Sequence, residues 1–286
     1  MIEDGLDLPT NGIGAGGAAP VGMLDSGVGG LSILREFHQR APSESIVYFA
    51  DQAHLPYGEK SIAEIRGFVR QIAAFLIEQG CKMLILPCNA ANAAALRVLR
   101  AEYPDFPIIG MEPAIKPAAQ ATKTGVIGVL TTRATYQGEL FASVIDRFAR
   151  DIRVEAVICP QLVLLAEQGA PDTAAARAIV RECLAPLLGT GADQIVLGCT
   201  HFPFLAGHIR AVLGEGITIV DPGPAVARQA ERVLKERALA ATSNRRGTIR
   251  YMTSGDPARF ESIASRLIRQ PIHDVRQVQL DRGIGT

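Results

Sequence analysis

Two cysteines occupy matched settings in this chain. The segments Gly80-Cys-Lys-Met-Leu-Ile-Leu-Pro-Cys88-Asn89 and Gly191-Ala-Asp-Gln-Ile-Val-Leu-Gly-Cys199-Thr200 align without gaps: glycine, a short apolar run, cysteine, then a small polar residue. In open α/β sheets ligands bind beyond the carboxyl ends of the strands, where the following helices also point their N-termini. A free thiol titrates near pH 8.5, about 1.5 units above neutrality, and the positive end of a helix favours the thiolate. Two such thiols on opposite faces of one carbon form an acid–base pair. One thiolate removes a proton while the opposing thiol delivers another, which inverts the centre. The α-carbon of an amino acid is a suitable target, and no lysine here sits in a recognisable pyridoxal-phosphate motif.

A single cysteine is read more plainly as a small buried hydrophobe. That reading holds for Cys81 at a strand start, Cys159 before Pro160 and Cys183 within a helix; polar neighbours set Cys88 and Cys199 apart. His201 follows Cys199 and Thr200 directly, with acid, hydrogen-bond partner, metal ligand and packing residue as its competing roles. No further His or Cys stands at ligand spacing, so no metal is expected. Asp25-Ser-Gly-Val-Gly-Gly30 puts a carboxylate and a hydroxyl at a strand end, ahead of glycines and a helix. It lacks both the GxxxxGK[ST] lysine pattern and a full GxGxxG, so neither a phosphate loop nor a dinucleotide site follows; its backbone donors suit a carboxylate. Asp51, with Pro56-Tyr57-Gly58 beyond it, reads equally as a second polar strand end or as a surface turn. Glu167, within Cys159-Pro-Gln-Leu-Val-Leu-Leu-Ala-Glu167, reads from the residues alone as a solvated helical glutamate.

The elements that must position these residues follow from periodicity. Short apolar runs predict strands at 21–24, 46–49, 83–86, 108–110, 126–130, 154–158, 195–197, 218–220 and 249–252, and amphipathic stretches predict helices over 61–79, 90–103, 135–150, 174–188 and 225–237. The alternation defines an α/β fold with mainly parallel sheets covered on both faces. A weaker pair extends the internal match. Asp25-Ser26 lies about 63 residues before Cys88, and Thr131-Thr132 about 68 before Cys199. Two related lobes are expected, each offering a thiol from a strand end; chance similarity of Gly-strand segments is the competing explanation.

At 286 residues and 48% hydrophobic content the chain is long enough for more than one core. Its formal net charge is zero and no basic stripe stands out, which argues against nucleic-acid and anionic-membrane partners. Five cysteines without close spacing suggest reduced thiols and a cytoplasmic protein rather than a disulfide framework. Residues 1–20 read as a disordered leader without a secretory signal, and no apolar run reaches the length of a membrane span.

Taken together, Leu24-Asp-Ser-Gly-Val-Gly-Gly-Leu31, Tyr48-Phe-Ala-Asp51 with Pro56-Tyr-Gly58, Pro87-Cys-Asn89 and Leu197-Gly-Cys-Thr-His201 followed by Phe202-Pro203 resemble the glutamate racemases of the aspartate/glutamate racemase superfamily, from about Val21 to about Ile268. The resemblance implies two facing, pseudo-symmetric α/β domains with the active site in the cleft between them. It implies no cofactor, a homodimer, and interconversion of L- and D-glutamate, supplying D-glutamate for peptidoglycan. By motif position Cys88 serves the D-enantiomer and Cys199 the L-enantiomer, Asp25 and His201 assist their respective thiols, and Glu167 matches the family's acidic position after its Cys-Pro segment. Substrate-contacting positions fall on Asp25, Ser26, Tyr57, Gly58, Asn89, Ala90, Thr132, Thr135, Thr200 and His201. Family architecture also implies a discontinuous first domain, 21–113 plus 223–280, around a second at 114–222.

The chain departs from the family pattern at three places. Ala90 stands where Thr usually follows Cys-Asn, which removes a hydroxyl from the expected carboxylate site; Asn92 replaces a Ser or Thr, and Phe202 a frequent Tyr. Two alternatives follow: a racemase for aspartate or another amino acid on the same scaffold, and a catalytically silent amino-acid-binding homologue.

Overall fold

The computed structural model describes residues 17–280. Its strands are β1 (Val21–Asp25), β2 (Ile46–Ala50), β3 (Met83–Ile85), β4 (Ile108–Ile109), β5 (Val126–Thr131), β6 (Arg153–Ile158), β7 (Gln194–Leu197), β8 (Thr218–Val220), β9 (Ile249–Thr253) and β10 (Arg276–Gln277). Its helices are α1 (Leu31–Arg40), α2 (Ile62–Glu78), α3 (Asn89–Glu102), α4 (Ile115–Ala121), α5 (Arg133–Gln137), α6 (Glu139–Phe148), α7 (Pro160–Ala166), α8 (Ala174–Leu184), α9 (Ala206–Leu213), α10 (Gly223–Glu236) and α11 (Pro257–Ile268).

The strands form two sheets, ordered β10-β9-β2-β1-β3-β4 and β6-β5-β7-β8, with every pairing parallel. Parallel strands are buried on both faces and so read as continuous apolar runs; β1, β2 and β3 are buried at every residue. In the first sheet, α1, α10 and α11 cover one face around Phe37, Val226 and Phe260, while α2 and α3 cover the other around Val69 and Leu99. The second sheet is packed by α7, α8 and α9 on one side and by α4 and α6 on the other. After β4 the chain passes into the second sheet, and it returns to the first with β9.

The order β2-β1-β3-β4 recurs as β6-β5-β7-β8, and the registers agree. Met23 pairs with Ile85 and Val129 with Val196. From those pairs Asp25 and Thr131 each lie two residues on, and Cys88 and Cys199 three residues on. In this strand order the crevice for a ligand opens between the first and third strands of the set. Each thiol therefore stands at the switch point of its own sheet.

Several expectations change. The helix expected over 135–150 is two helices, because Gly138 takes an extended backbone (ψ 140) between them. The helix expected to run to 188 gives way to a 3-10 turn at Ala185–Leu187. Cys88 is the N-cap of α3, but Cys199 is followed by a turn and a 3-10 stretch, Phe202–Leu205, so no α-helix N-terminus lies directly beside it. The disordered-leader expectation for residues 1–16 lies outside the described residues. Gly17 and Pro20 lie against the first sheet, their carbonyls accepting from Lys82 Nζ and Lys82 N. No helix among the described residues is long and apolar enough to cross a membrane.

Candidate active site

The carboxyl ends of the two sheets enclose a small polar pocket. It is lined by Ser26, Tyr57, Gly58, Cys88, Asn89 and Ala90 from the first sheet's side and by Thr132, Thr135, Cys199, Thr200 and His201 from the second's, with Pro56 and Val163 completing the wall. Asp25 and Glu167 stand just behind, both buried. The residues expected to carry the proton or to contact substrate thus come to this one place, whereas Asp51 and Asn92 lie outside its lining. Its free volume of about 20 Å³ is enough for about one water. An amino acid enters only when the walls part.

The surroundings of the two thiols differ. Cys88 Sγ lies 4.0 Å from Ser26 Oγ. Burial, and then the nearby Asp25 carboxylate, push the Cys88 thiol well above its ordinary value, outweighing the Ala91 and Ser26 backbone groups that favour the thiolate. The sequence expectation that a helix N-terminus brings this thiol toward neutrality is therefore corrected: the cap is present, but desolvation is larger. Cys199 Sγ lies 3.6 Å from His201 Nδ1. The other ring nitrogen, Nε2, lies 2.7 Å from Glu167 Oε1. Burial alone would depress the His201 imidazolium, but hydrogen bonds to Cys199 and Glu167 hold it well above its usual value.

Glu167 is not solvated, contrary to the reading from its helix position. It caps the C-terminus of α7 and is 4% exposed. Burial opposes its charge, yet His201, the Val28 N–H and Gln52 together hold its carboxyl below the usual range. Val28 N donates to Oε1 at 2.8 Å and Gln52 Nε2 to Oε2 at 3.1 Å. These donors come from the first sheet's loops, so Glu167 is bonded to both halves. The glycines of the β1–α1 loop are explained by this approach: a Cβ on Gly27 would collide with Glu167 Oε1, and one on Gly29 with His201. Tyr48 Oη donates to Gly27 O at 2.8 Å and steadies the same loop.

Asp25 accepts from Gly27 N at 2.9 Å and from Thr200 Oγ1 at 3.1 Å, the second bond crossing between the sheets. Burial pushes its carboxyl up to about 6, against the pull of the His201 charge and the Gly27 N–H. Asp51 is buried rather than a surface turn. It accepts from Tyr57 Oη at 2.6 Å and from Ser254 Oγ at 2.7 Å, and lies 2.9 Å from His54 Nδ1, which together fix Tyr57 in the pocket wall. Both amide atoms of Asn89 are buried without a hydrogen-bond partner, a state that calls for a ligand or water. Thr132 Oγ1 donates to Thr135 Oγ1 at 3.1 Å.

Asn92 does not face the pocket. Its Nδ2 donates to Leu86 O and Cys88 O, both at 2.7 Å, and its Oδ1 accepts from Met111 N at 3.0 Å. It ties the strand end carrying Cys88 to the segment where the chain leaves the first sheet. Ala90, by contrast, lines the pocket. Phe202 is fully buried in the core beneath Cys199. Among the described residues no group of three or more His, Cys, Asp or Glu is placed to hold a metal. Sequence reasoning missed Gln52 and Val163, and gave Val28 no role beyond its place in the Asp25–Gly30 motif. Val28 and Gln52 act through a backbone N–H and an amide aimed at a residue far along the chain, and nothing local signals that.

Two switch-point crevices facing each other across one pocket, each with a thiol, define a two-lobed α/β protein of the racemase type. Residues 30–230 match the family described as Asp/Glu/Hydantoin racemase. The chain is 49% identical over 246 residues to a glutamate racemase of Stutzerimonas stutzeri, covering 86% of this chain and 92% of that one. Its fold is similar to that of a glutamate racemase isoform from Bacillus anthracis, with a TM-score of 0.82, 34% identity, and 92% of this chain and 98% of that one covered. It is also similar to a Francisella tularensis glutamate racemase in complex with D-glutamate (TM-score 0.82, 28% identity, 93% and 99% covered). The chain belongs to the Asp/Glu/hydantoin racemase family, among the glutamate racemases.

Proposed function

We propose that this chain interconverts L- and D-glutamate without a cofactor, moving the α-proton between Cys199 and Cys88. The observation that carries the reading is the register-matched placement of the two thiols on opposite walls of one pocket. With L-glutamate bound, the Cys199 thiolate, paired with the His201 imidazolium, takes the α-proton and becomes a thiol. Cys88, held as a thiol by burial and Asp25, gives its proton to the opposite face and becomes a thiolate. In the reverse direction Asp25, its carboxyl raised by burial to about 6, receives the Cys88 proton and the His201 imidazolium protonates Cys199. The Cys88 thiolate then takes the α-proton of the D-enantiomer while the Cys199 thiol delivers its proton to the opposite face. Glu167 keeps His201 charged and oriented. Asn89 supplies amide groups to the substrate, and Ser26, Tyr57, Gly58, Ala90, Thr132, Thr135 and Thr200 line its envelope.

This reading takes 21–113 with 223–280 as one lobe and 114–222 as the other, in keeping with the two sheets. It places the enzyme in the cytoplasm as a homodimer supplying D-glutamate for peptidoglycan. Thiols stay reduced there, and all five cysteines are free. The test follows the circular dichroism of purified protein with L-glutamate and, separately, L-aspartate. Loss of the glutamate signal with little change for aspartate supports the proposal. Racemisation of aspartate alone, or of neither, overturns it.

A further inference from the structure

A second and larger cleft, of about 860 Å³, opens between the two lobes away from the thiol pocket. Arg35 of α1 and Arg269 at the end of α11 contribute from the first lobe; Arg177 and Arg181 of α8 and His208 of α9 contribute from the second. The acid in its lining is Asp172, which pairs with Arg177 and lies 3.5 Å from His208 Nε2. Arg181 and Arg269 have no acidic partner within 4.0 Å among the described residues, and Arg35 reaches Glu36 only at 3.8 Å. All four arginines are exposed, and guanidinium groups gathered in one concave cleft focus a positive potential. Their planar forks match carboxylate and phosphate oxygens.

The backbone around the cleft is unusual as well. Ala170 and Arg269 line it with φ of 49° and 56°, a region that residues with a Cβ adopt at a cost. Ala170 comes three residues after Glu167, and Pro203 in the same wall comes two after His201. The cleft thus shares its wall with the pair that serves Cys199. Its size suits a small metabolite rather than a lone inorganic ion.

We propose that this cleft is a binding site for a small polyanion bearing phosphate or carboxylate groups, whose oxygens bridge Arg35 and Arg269 of one lobe to Arg177 and Arg181 of the other. The thiol pocket holds about one water in the present arrangement, so the lobes part in each turnover to admit glutamate and release product. An anion bridging the arginines opposes that parting and slows turnover without competing for the thiol pocket.

The test is isothermal titration of the full-length protein with inorganic pyrophosphate and, in a separate arm, citrate, at constant ionic strength. Saturable binding in either arm that persists with excess D-glutamate supports the site, and the stronger arm identifies the ligand chemistry. The double variant Arg181→Glu with Arg269→Glu, both exposed positions outside the thiol pocket, is expected to weaken binding by at least about tenfold while keeping wild-type kcat in the absence of anion. In the wild type the bound anion is expected to lower kcat without raising KM for glutamate. No saturable binding in either arm, displacement by D-glutamate, equal affinity in the double variant, or a change of its oligomeric state would each overturn the proposal. The titration reads binding alone, so it stands apart from whether glutamate is the substrate.

Discussion

His201 Nε2 lies 2.7 Å from Oε1 of Glu167, 34 positions earlier in the chain, while Nδ1 of the same ring faces Cys199 Sγ at 3.6 Å. A buried imidazole with an acid on one side and a thiol on the other holds its proton to higher pH than a free histidine. The arrangement stabilises the His201 imidazolium beside Cys199, whereas burial and Asp25 keep Cys88 a thiol.

Glu167→Gln keeps the side chain's size and removes its charge. The imidazolium is then less stabilised and is lost at lower pH, so the alkaline limb of the kcat/KM profile moves toward neutrality. At pH 8 kcat/KM is expected to fall about a hundredfold, the low end of what positioned acid–base groups contribute. A variant whose alkaline limb stays in place would detach Glu167 from the His201 proton.

Asp25 governs the acid limb. Its carboxyl, raised by burial to about 6, accepts the Cys88 proton only when ionised, so kcat from D-glutamate is at its full value above that pH and is lost as pH falls through it. An ordinary aspartate would give the limb near pH ~3.9. Asp25→Asn is expected to lower kcat and to flatten this limb. A limb near 6 that survives the substitution would assign it to another group.

Ala90→Thr returns a hydroxyl to a pocket-lining position at the start of α3. One added hydrogen bond of ~0.5–1.5 kcal/mol would lower KM for glutamate roughly 2- to 13-fold with kcat unchanged. An unchanged or raised KM would show that position 90 does not contact the substrate carboxylate.

Much of the site was legible in the sequence because its parts are local. Gly-strand-Cys fixes a thiol at a strand end in both halves, and the shared register of β1–β3 and β5–β7 brings Asp25 with Cys88 and Thr131 with Cys199 to equivalent positions although the sequence offsets differ. What was hidden is what the halves do to each other. Glu167 looks solvated on its own helix because the Val28 N–H, Gln52 and His201 that bury it come from other segments. Asn92, a departure from the family pattern in sequence, turns its amide inward to the backbone of Leu86, Cys88 and Met111. The break at Gly138 was obscured because apolar spacing continues across it, although the glycine itself was a signal. Cys88 shows the limit of local electrostatics. Its helix cap was readable, but the desolvation that overrides it depends on the closed pocket.

The central claim is that the proton leaves to one thiol and arrives from the other, and the position of deuterium tests it most directly. L-Glutamate is converted in deuterium oxide to a few per cent, and the two enantiomers are separated and analysed at Cα. Two opposed thiols predict deuterium in essentially all of the D-glutamate formed and protium retained in the recovered L-glutamate. D-Glutamate that keeps its original α-hydrogen, or early deuterium in the recovered L-glutamate, would contradict the account by showing that one group serves both faces.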